Sequence, residues 1–152
     1  MSEPKPTLLI DGADLVYRSP SIELWRLPIE RIRLIGEATD QNGPFADDYW
    51  YWFAPAADDW YEASFYSEGR DTVFGELERR FGATFPHALM GSTDFASNIL
   101  YPPELAGRPL LRYEKVPHRG FLKALLLGMI GMPFSVRQEA TEQVMQFLRE
   151  RP

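Results

Sequence analysis

The sequence predicts an α+β fold in which an antiparallel sheet in the N-terminal half is packed by helices. In the first half, β-branched and aromatic residues alternate with polar ones between turn-forming clusters, which is typical of strands. Further along, apolar residues recur at helical spacing and predict helices at about 71–81, 119–130 and 136–149. The length of 152 residues, 45% of them hydrophobic, predicts one globular domain over residues 1–152.

The predicted strands are separated by well-marked turns. Glycine, proline, asparagine and aspartate mark these turns at Asp11-Gly12, Ser19-Pro20, Asn42-Gly43-Pro44 and 54–59. The predicted strands are 7–10 or 15–17, then 22–27, then 29–38, and then a hairpin formed by 48–53 and 60–66.

The first predicted helix has the clearest boundaries. Asp71 is placed to cap its first turn, and Gly82 follows its last apolar residue. The segment 83–117 is rich in proline and glycine, so we expect ordered loop with one short helix around 94–100. For the last helix, Ser135 and Gln138 have capping-box spacing.

Composition excludes several classes of function. The chain has no cysteine, which removes disulfides, thiolate metal sites and cysteine nucleophiles and is typical of a reducing compartment. A net charge of −6 disfavours non-specific nucleic-acid binding, because that binding depends on Lys and Arg contacts to phosphates. The first residues lack the features of a signal peptide, and the longest apolar stretch, 121–134, is too short to span a bilayer. We therefore expect a cytoplasmic protein.

No motif predicts a catalytic residue, a metal site or a cofactor. His87 and His118 lie far apart and have no carboxylate or second histidine at ligand spacing. The serine hydrolase elbow G-x-S-x-G and the phosphate-binding glycine loops are both missing from the sequence. The pairs Asp47-Asp48 and Asp58-Asp59 leave a metal-dependent carboxylate site open as a hypothesis, although adjacent strand residues point to opposite faces.

Acidic and aromatic residues are concentrated in the same segment. The first 76 residues carry 15 acids and 6 bases, whereas the last 76 carry 7 acids and 10 bases. Residues 34–69 contain eight acids and no Lys or Arg, and residues 45–66 contain 10 of the 21 aromatic residues. An acidic surface with aromatic anchors is typical of a site that binds a basic protein. The predicted partner-binding residues are Asp47, Asp48, Trp50, Trp52, Asp58, Asp59, Trp60 and Glu62.

Two resemblances bear on fold and function. The run Trp25-Arg26-Leu27-Pro28-Ile29-Glu30-Arg31-Ile32-Arg33-Leu34-Ile35, followed by two aromatic-rich strands and the helix 71–81, resembles bacterial pleckstrin-homology-like domains over about residues 22–82. This resemblance implies a strand-strand-strand-helix course and carries over no functional residue. In overall type, the small, acidic, cysteine-free chain resembles bacterial toxin-immunity proteins, which commonly act by stoichiometric binding.

The first hypothesis is therefore a non-enzymatic binding module that holds a basic protein, such as a toxin, on the acidic aromatic hairpin. An alternative is a small-ligand or lipid-binding domain whose aromatic residues line a pocket beneath the hairpin. A third interpretation is that both faces of the hairpin strand belong to the core.

Overall fold

The computed structural model of the chain describes residues 5–40, 48–90, 95–117 and 134–150, with side chains described at all of these except 114–117 and 134–138. These residues form nine strands and two α-helices, which confirms the α+β prediction. The strands are β1 (Thr7–Asp11), β2 (Asp14–Arg18), β3 (Glu23–Pro28), β4 (Leu34–Thr39), β5 (Tyr49–Ala56), β6 (Asp59–Ser64), β7 (Ala96–Tyr101), β8 (Leu111–Pro117) and β9 (Phe134–Ala140). The helices are α1 (Arg70–Phe81) and α2 (Glu142–Arg149). All three sheets are antiparallel, with strand orders β1-β2-β3, β6-β5-β4-β7 and β8-β9.

The N-terminal sheet contains both of the predicted alternatives, since 7–10 and 15–17 fall in β1 and β2. Asp11 pairs with Asp14 across a two-residue turn in which Gly12 has a φ of 61°. Glycine adopts this left-handed conformation at little cost, so the Asp-Gly signal identifies the turn correctly.

The four-stranded sheet is built around the predicted aromatic hairpin. β5 pairs with β6 as expected, and β4 lies on the other side of β5, with Ile35 opposite Phe53. The predicted strand 29–38 begins later than expected, because Ile29–Arg31 form a 3₁₀ turn in which the Ile32 N–H donates to the Ile29 carbonyl oxygen at 3.1 Å. Leu34 and Gly36 lie on one face of β4.

The two faces of this sheet pack against two hydrophobic clusters. The first cluster includes Tyr51 and Phe53 of β5, Phe74 of α1, and Leu15 and Leu27 of the N-terminal sheet. The second includes Leu34 of β4 and Ala54 of β5, together with residues of β7, α2 and the segment before β8. Alternate strand residues point to opposite faces, so β5 contributes to both clusters.

The N-terminal sheet is joined to the outer edge of β6 by two side chains. The indole Nε1 of Trp25 donates to the Glu62 carbonyl oxygen at 2.9 Å, and the Ser64 N–H donates to the Tyr17 hydroxyl at 3.3 Å. These hydrogen bonds satisfy backbone groups that an edge strand would otherwise leave open.

Helix α1 confirms the prediction for 71–81, with Gly82 at its C-terminus at a φ of 62°. Its N-cap is Gly69, whose φ is 81°, and no side chain caps the helix, so Asp71 lies in the first turn instead. A Cβ at Gly69 would lie 2.5 Å from the Leu8 carbonyl oxygen. Glycine therefore lets the start of α1 approach β1 closely.

Two helix predictions are wrong in whole or in part. Residues 96–101, which overlap the helix expected around 94–100, form β7 and pair with β4, because this pairing buries Ile99 and Leu100 in the two clusters. In the helix expected at 136–149, residues 136–140 belong to β9 and pair with β8. Helix α2 begins only at Glu142, and the capping hydroxyl is that of Thr141, which accepts from the Val144 N–H at 3.3 Å.

Helix α2 is fixed to the four-stranded sheet by its C-terminus. Val144 and Leu148 are buried in the second cluster. The guanidinium of Arg33 donates to the carbonyl oxygens of Leu148 at 2.8 Å and Phe147 at 3.0 Å. The helix predicted at 119–130 lies outside the described residues. Among the described helices, none is long and apolar enough to cross a membrane.

Candidate functional site

Three of the four tryptophans share one side of the four-stranded sheet with Glu62, and we call this set the tryptophan face. Trp50 and Trp52 point away from Tyr51 because neighbouring strand residues alternate. Trp52 lies directly opposite Glu62 of β6, and the Trp60 ring meets the Trp52 ring edge-on with centroids 6.4 Å apart. All three indoles are partly exposed, whereas Tyr49, Tyr51 and Phe53 on the other face of β5 are buried.

The indole N–H groups differ in their hydrogen bonding. The Nε1 of Trp60 donates to the Ala57 carbonyl oxygen at 2.9 Å, which fixes this ring at the hairpin turn. The Nε1 of Trp52 is buried and has no hydrogen-bond partner within the described part of the chain. A buried donor without an acceptor costs about 1–3 kcal/mol. The Trp52 side chain also packs against the second hydrophobic cluster, so its position is fixed.

Glu62 is the acid most closely associated with the tryptophans. More than a third of its surface is exposed, yet desolvation raises the pKa of its carboxyl group, and the negative charge of Asp40 raises it further. Among the residues described, no Lys, Arg or His forms an ion pair with Glu62. The charged form of Glu62 is therefore disfavoured where it stands.

The remaining predicted acids lie at the two ends of the hairpin. Near Trp50, Asp48 accepts a hydrogen bond from the Tyr66 hydroxyl, and its carbonyl oxygen accepts from the Asp40 N–H at 2.9 Å. At the other end, Asp58 is exposed in the turn and Asp59 is 3.6 Å from Arg31. Asp47 lies outside the described residues.

The structure thus brings together only part of the predicted set. Eight residues of β5 separate Asp48 from the turn that holds Asp58, which corresponds to about 25 Å of extended chain. The acids therefore form two groups, and Arg31 partly neutralises the one at the turn. The predicted set did not include Asp40. Its position in the segment 34–69, which contains eight acids and no Lys or Arg, was the signal that could have identified it.

A buried carboxylate that sequence reasoning missed lies on the other face of the same sheet. Glu37 of β4 is fully buried and accepts three hydrogen bonds. Its Oε2 accepts from the Tyr49 hydroxyl at 3.1 Å, and its Oε1 accepts from the N–H groups of Ala88 at 2.9 Å and Leu89 at 2.8 Å. Burial raises the pKa of Tyr49, so this hydroxyl remains a donor. Glu37 therefore fixes the segment that follows α1.

The described residues give no support for a metal centre. Within 5–40, 48–90, 95–117 and 134–150, no group of three or more His, Asp or Glu side chains could hold a metal ion. The ring of His87 contacts the Tyr51 hydroxyl through Nε2 at 3.0 Å and the Phe85 carbonyl oxygen through Nδ1 at 3.1 Å. His118 is not among the described residues.

Comparison with known proteins adds no assignment to these observations. No family model, curated protein or solved structure is significantly similar to the chain. The resemblances to pleckstrin-homology-like domains and to immunity proteins therefore stay predictions.

Proposed function

We propose that this protein is a non-enzymatic binding module that holds a basic protein on the tryptophan face, as an immunity or inhibitor protein holds a toxin. The observation that carries the proposal is Glu62. Its carboxylate is desolvated beside Trp52, lies near the like charge of Asp40, and has no cationic partner among the described residues. A side chain held where its charged form is disfavoured, as Glu62 is, is typical of functional sites.

A cationic side chain from a partner would relieve this cost. An Arg or Lys beside Glu62 would pair with its carboxylate and offset the repulsion from the negative charge of Asp40. The same cation would lie near the face of Trp50 or Trp52, where a cation–π contact contributes about 0.5–2 kcal/mol. A basic partner is therefore favoured over an acidic or neutral one.

The tryptophans supply the apolar part of such a contact. Trp is enriched among the residues that dominate binding energies, because it combines a large apolar area with one hydrogen-bond donor. The side chains of Trp52 and Trp60 are held by their ring contact and by packing on the second hydrophobic cluster, so they would lose little side-chain entropy on binding. Glu62 lies opposite Trp52, and Asp48 precedes Tyr49 at the start of β5, so these acids would orient the basic partner.

The test is to capture partners with the immobilised full chain at low and high salt, using matched charge reversals. Glu62→Lys removes the acid of the tryptophan face, and Glu104→Lys changes another exposed acid, which lies in the loop after β7. We expect a basic protein to bind in a salt-sensitive way, to lose at least about tenfold in affinity with Glu62→Lys, and to bind Glu104→Lys normally.

Trp50→Ala provides a second test that leaves the charge unchanged. We expect it to weaken the same complex while the thermal unfolding of the free protein stays cooperative. Equal binding by wild type, Glu62→Lys and Trp50→Ala would exclude the tryptophan face as the site. Capture of an acidic partner would contradict the proposed chemistry.

A further inference from the structure

The carboxylate of Glu62 and the indole of Trp50 are placed so that one cationic group can contact both. Glu62 of β6 lies directly opposite Trp52 of β5, so Trp50 is its diagonal neighbour on the same side of the sheet. Diagonal neighbours on antiparallel strands are about 7–8 Å apart, a gap that aromatic and long side chains can span. A cation paired with Glu62 therefore lies within reach of the Trp50 ring.

The strand positions of these two residues are fixed by their surroundings. The Glu62 carbonyl oxygen accepts a hydrogen bond from the Nε1 of Trp25 at 2.9 Å, which holds the backbone of β6 at this point. Trp52, between Glu62 and Trp50 on this side, packs against the second hydrophobic cluster. The acid and the indole therefore project from a rigid part of the sheet.

Trp50 is the indole of the tryptophan face whose ring is available to a partner. Trp52 and Trp60 contact each other edge-on and pack against the second hydrophobic cluster. Trp50 is partly exposed, and within the described part of the chain its side chain has neither a ring contact nor a hydrogen bond. The face of an indole attracts cations more strongly than that of any other aromatic side chain. We therefore expect the cation to lie on Trp50.

Both oxygens of the Glu62 carboxylate are also available. Neither accepts a hydrogen bond from a side chain or an N–H group of the described residues. A guanidinium presents two parallel N–H donors that match the two oxygens of one carboxylate, whereas an ammonium is a compact point charge. The open carboxylate therefore favours arginine on geometric grounds.

The hydration of the cation favours arginine as well. Desolvation raises the pKa of Glu62, so a cation that pairs with this carboxylate also gives up part of its own water. A guanidinium is more weakly hydrated than an ammonium, and its plane stacks on an aromatic face. Entry beside Glu62 and Trp50 therefore costs arginine less than it costs lysine.

The geometry points to an arginine, rather than a lysine, as the side chain that the basic protein partner presents to the tryptophan face. Its guanidinium would donate to both oxygens of Glu62 and stack on the Trp50 ring. This inference rests on the proposed function and makes the chemistry of the partner more specific.

The experiment uses the full chain labelled with ¹⁵N and two blocked pentapeptides of equal charge, one of arginine alternating with glycine and one of lysine alternating with glycine. We expect both to shift the indole N–H signal of Trp50 and the arginine peptide to bind at least about fivefold more tightly. The amide signal of Gly82 should not move, because it lies at the end of α1, which packs against the other face of the sheet.

Three variants separate stacking from charge. Trp50→Leu keeps an apolar side chain but removes the ring, so the preference for arginine should fall below about twofold, as read from the Trp52 indole signal. Glu62→Gln removes the charge and should weaken binding of the arginine peptide at least about fivefold. Glu104→Gln changes an exposed acid in the loop after β7 and should keep both affinities.

The outcomes distinguish this inference from the proposed function. Equal binding of the two peptides, tighter binding of the lysine peptide, or an unchanged arginine preference in Trp50→Leu would overturn the inference and leave a basic partner in place. If neither peptide shifts an indole signal of the tryptophan face, both the inference and the proposed function are overturned.

Discussion

Replacing Glu37 by leucine should destabilise the protein strongly, although leucine is apolar and similar in size. The change removes the only acceptor that the structure shows for the Tyr49 hydroxyl and for the N–H groups of Ala88 and Leu89. Tyr49 is 4% exposed, so water cannot readily replace the lost acceptor there. Ala88 is exposed, and water can partly replace the acceptor in the loop.

The magnitude follows from these three donors. An unsatisfied buried hydroxyl costs about 1–3 kcal/mol, and each of the two loop hydrogen bonds contributes about 0.5–1.5 kcal/mol. Burial of the leucine offsets a small part of this loss, so we expect a decrease of about 2–5 kcal/mol in the free energy of unfolding. Glu37→Gln keeps an acceptor for the loop and should cost about 1–2 kcal/mol.

Urea denaturation of wild type and both variants measures these differences. Limited proteolysis should also show faster cleavage at 86–90 in Glu37→Leu, because this segment loses two of the hydrogen bonds that hold it. Buried ionic groups can sometimes be replaced by apolar ones at no cost. If Glu37→Leu is as stable as wild type, the three hydrogen bonds contribute no net stability and the reasoning is refuted.

Three further changes test other parts of the fold. Gly36→Ala should cost about 1–3 kcal/mol in urea denaturation, because the new Cβ would lie 2.6 Å from a Leu110 methyl carbon; wild-type stability would contradict this contact. Arg33→Gln should lower the free energy of unfolding by about 1–2 kcal/mol through loss of two hydrogen bonds to α2 and of the stacking on Phe147, and thermal unfolding measures it. The pKa of Glu62 in the folded state is raised above its ordinary value of 4.5. The protonated carboxyl group therefore stabilises the folded state fully below pH 4.5, and this stabilisation is lost as the pH rises through the folded-state pKa. The stability of Glu62→Gln relative to wild type should therefore increase from pH 4 to pH 7. A decrease over this range would show that desolvation does not determine the pKa of Glu62.

The elements best predicted from the sequence are those in which local signals and tertiary packing agree. Helix α1 has apolar residues at helical spacing and a glycine at its end, and both features appear in the structure. The hairpin β5-β6 follows from a run of aromatic residues between turn signals, which fits a strand with one buried and one partly exposed face. In these segments the local sequence pattern is enough to predict the secondary structure.

The errors occur where pairing with distant residues decides the structure. Asn98 and Ile99 lie where a short helix is expected, but β4 offers them a strand partner some 60 residues earlier in the chain. Residues 136–140 likewise pair with β8 rather than extending α2. At the candidate site, strand alternation puts Trp50 and Trp52 on one side of β5, and the predicted turn at 54–59 puts Asp58 at the far end of the hairpin. The sequence could not show that Glu62 lies opposite Trp52.

The two glutamates on opposite faces of one sheet show why burial alone does not identify a functional acid. Glu37 is completely buried, yet each oxygen accepts a hydrogen bond, and its position is explained by the segment that it holds. Glu62 is partly exposed, but the described residues provide its carboxylate with no donor, and desolvation and Asp40 raise its pKa. The first acid stabilises the fold, whereas the second is held in a position that its own charge disfavours. Unused capacity to accept hydrogen bonds, next to three partly exposed indoles, is therefore the feature that favours the tryptophan face as the place where a basic partner binds.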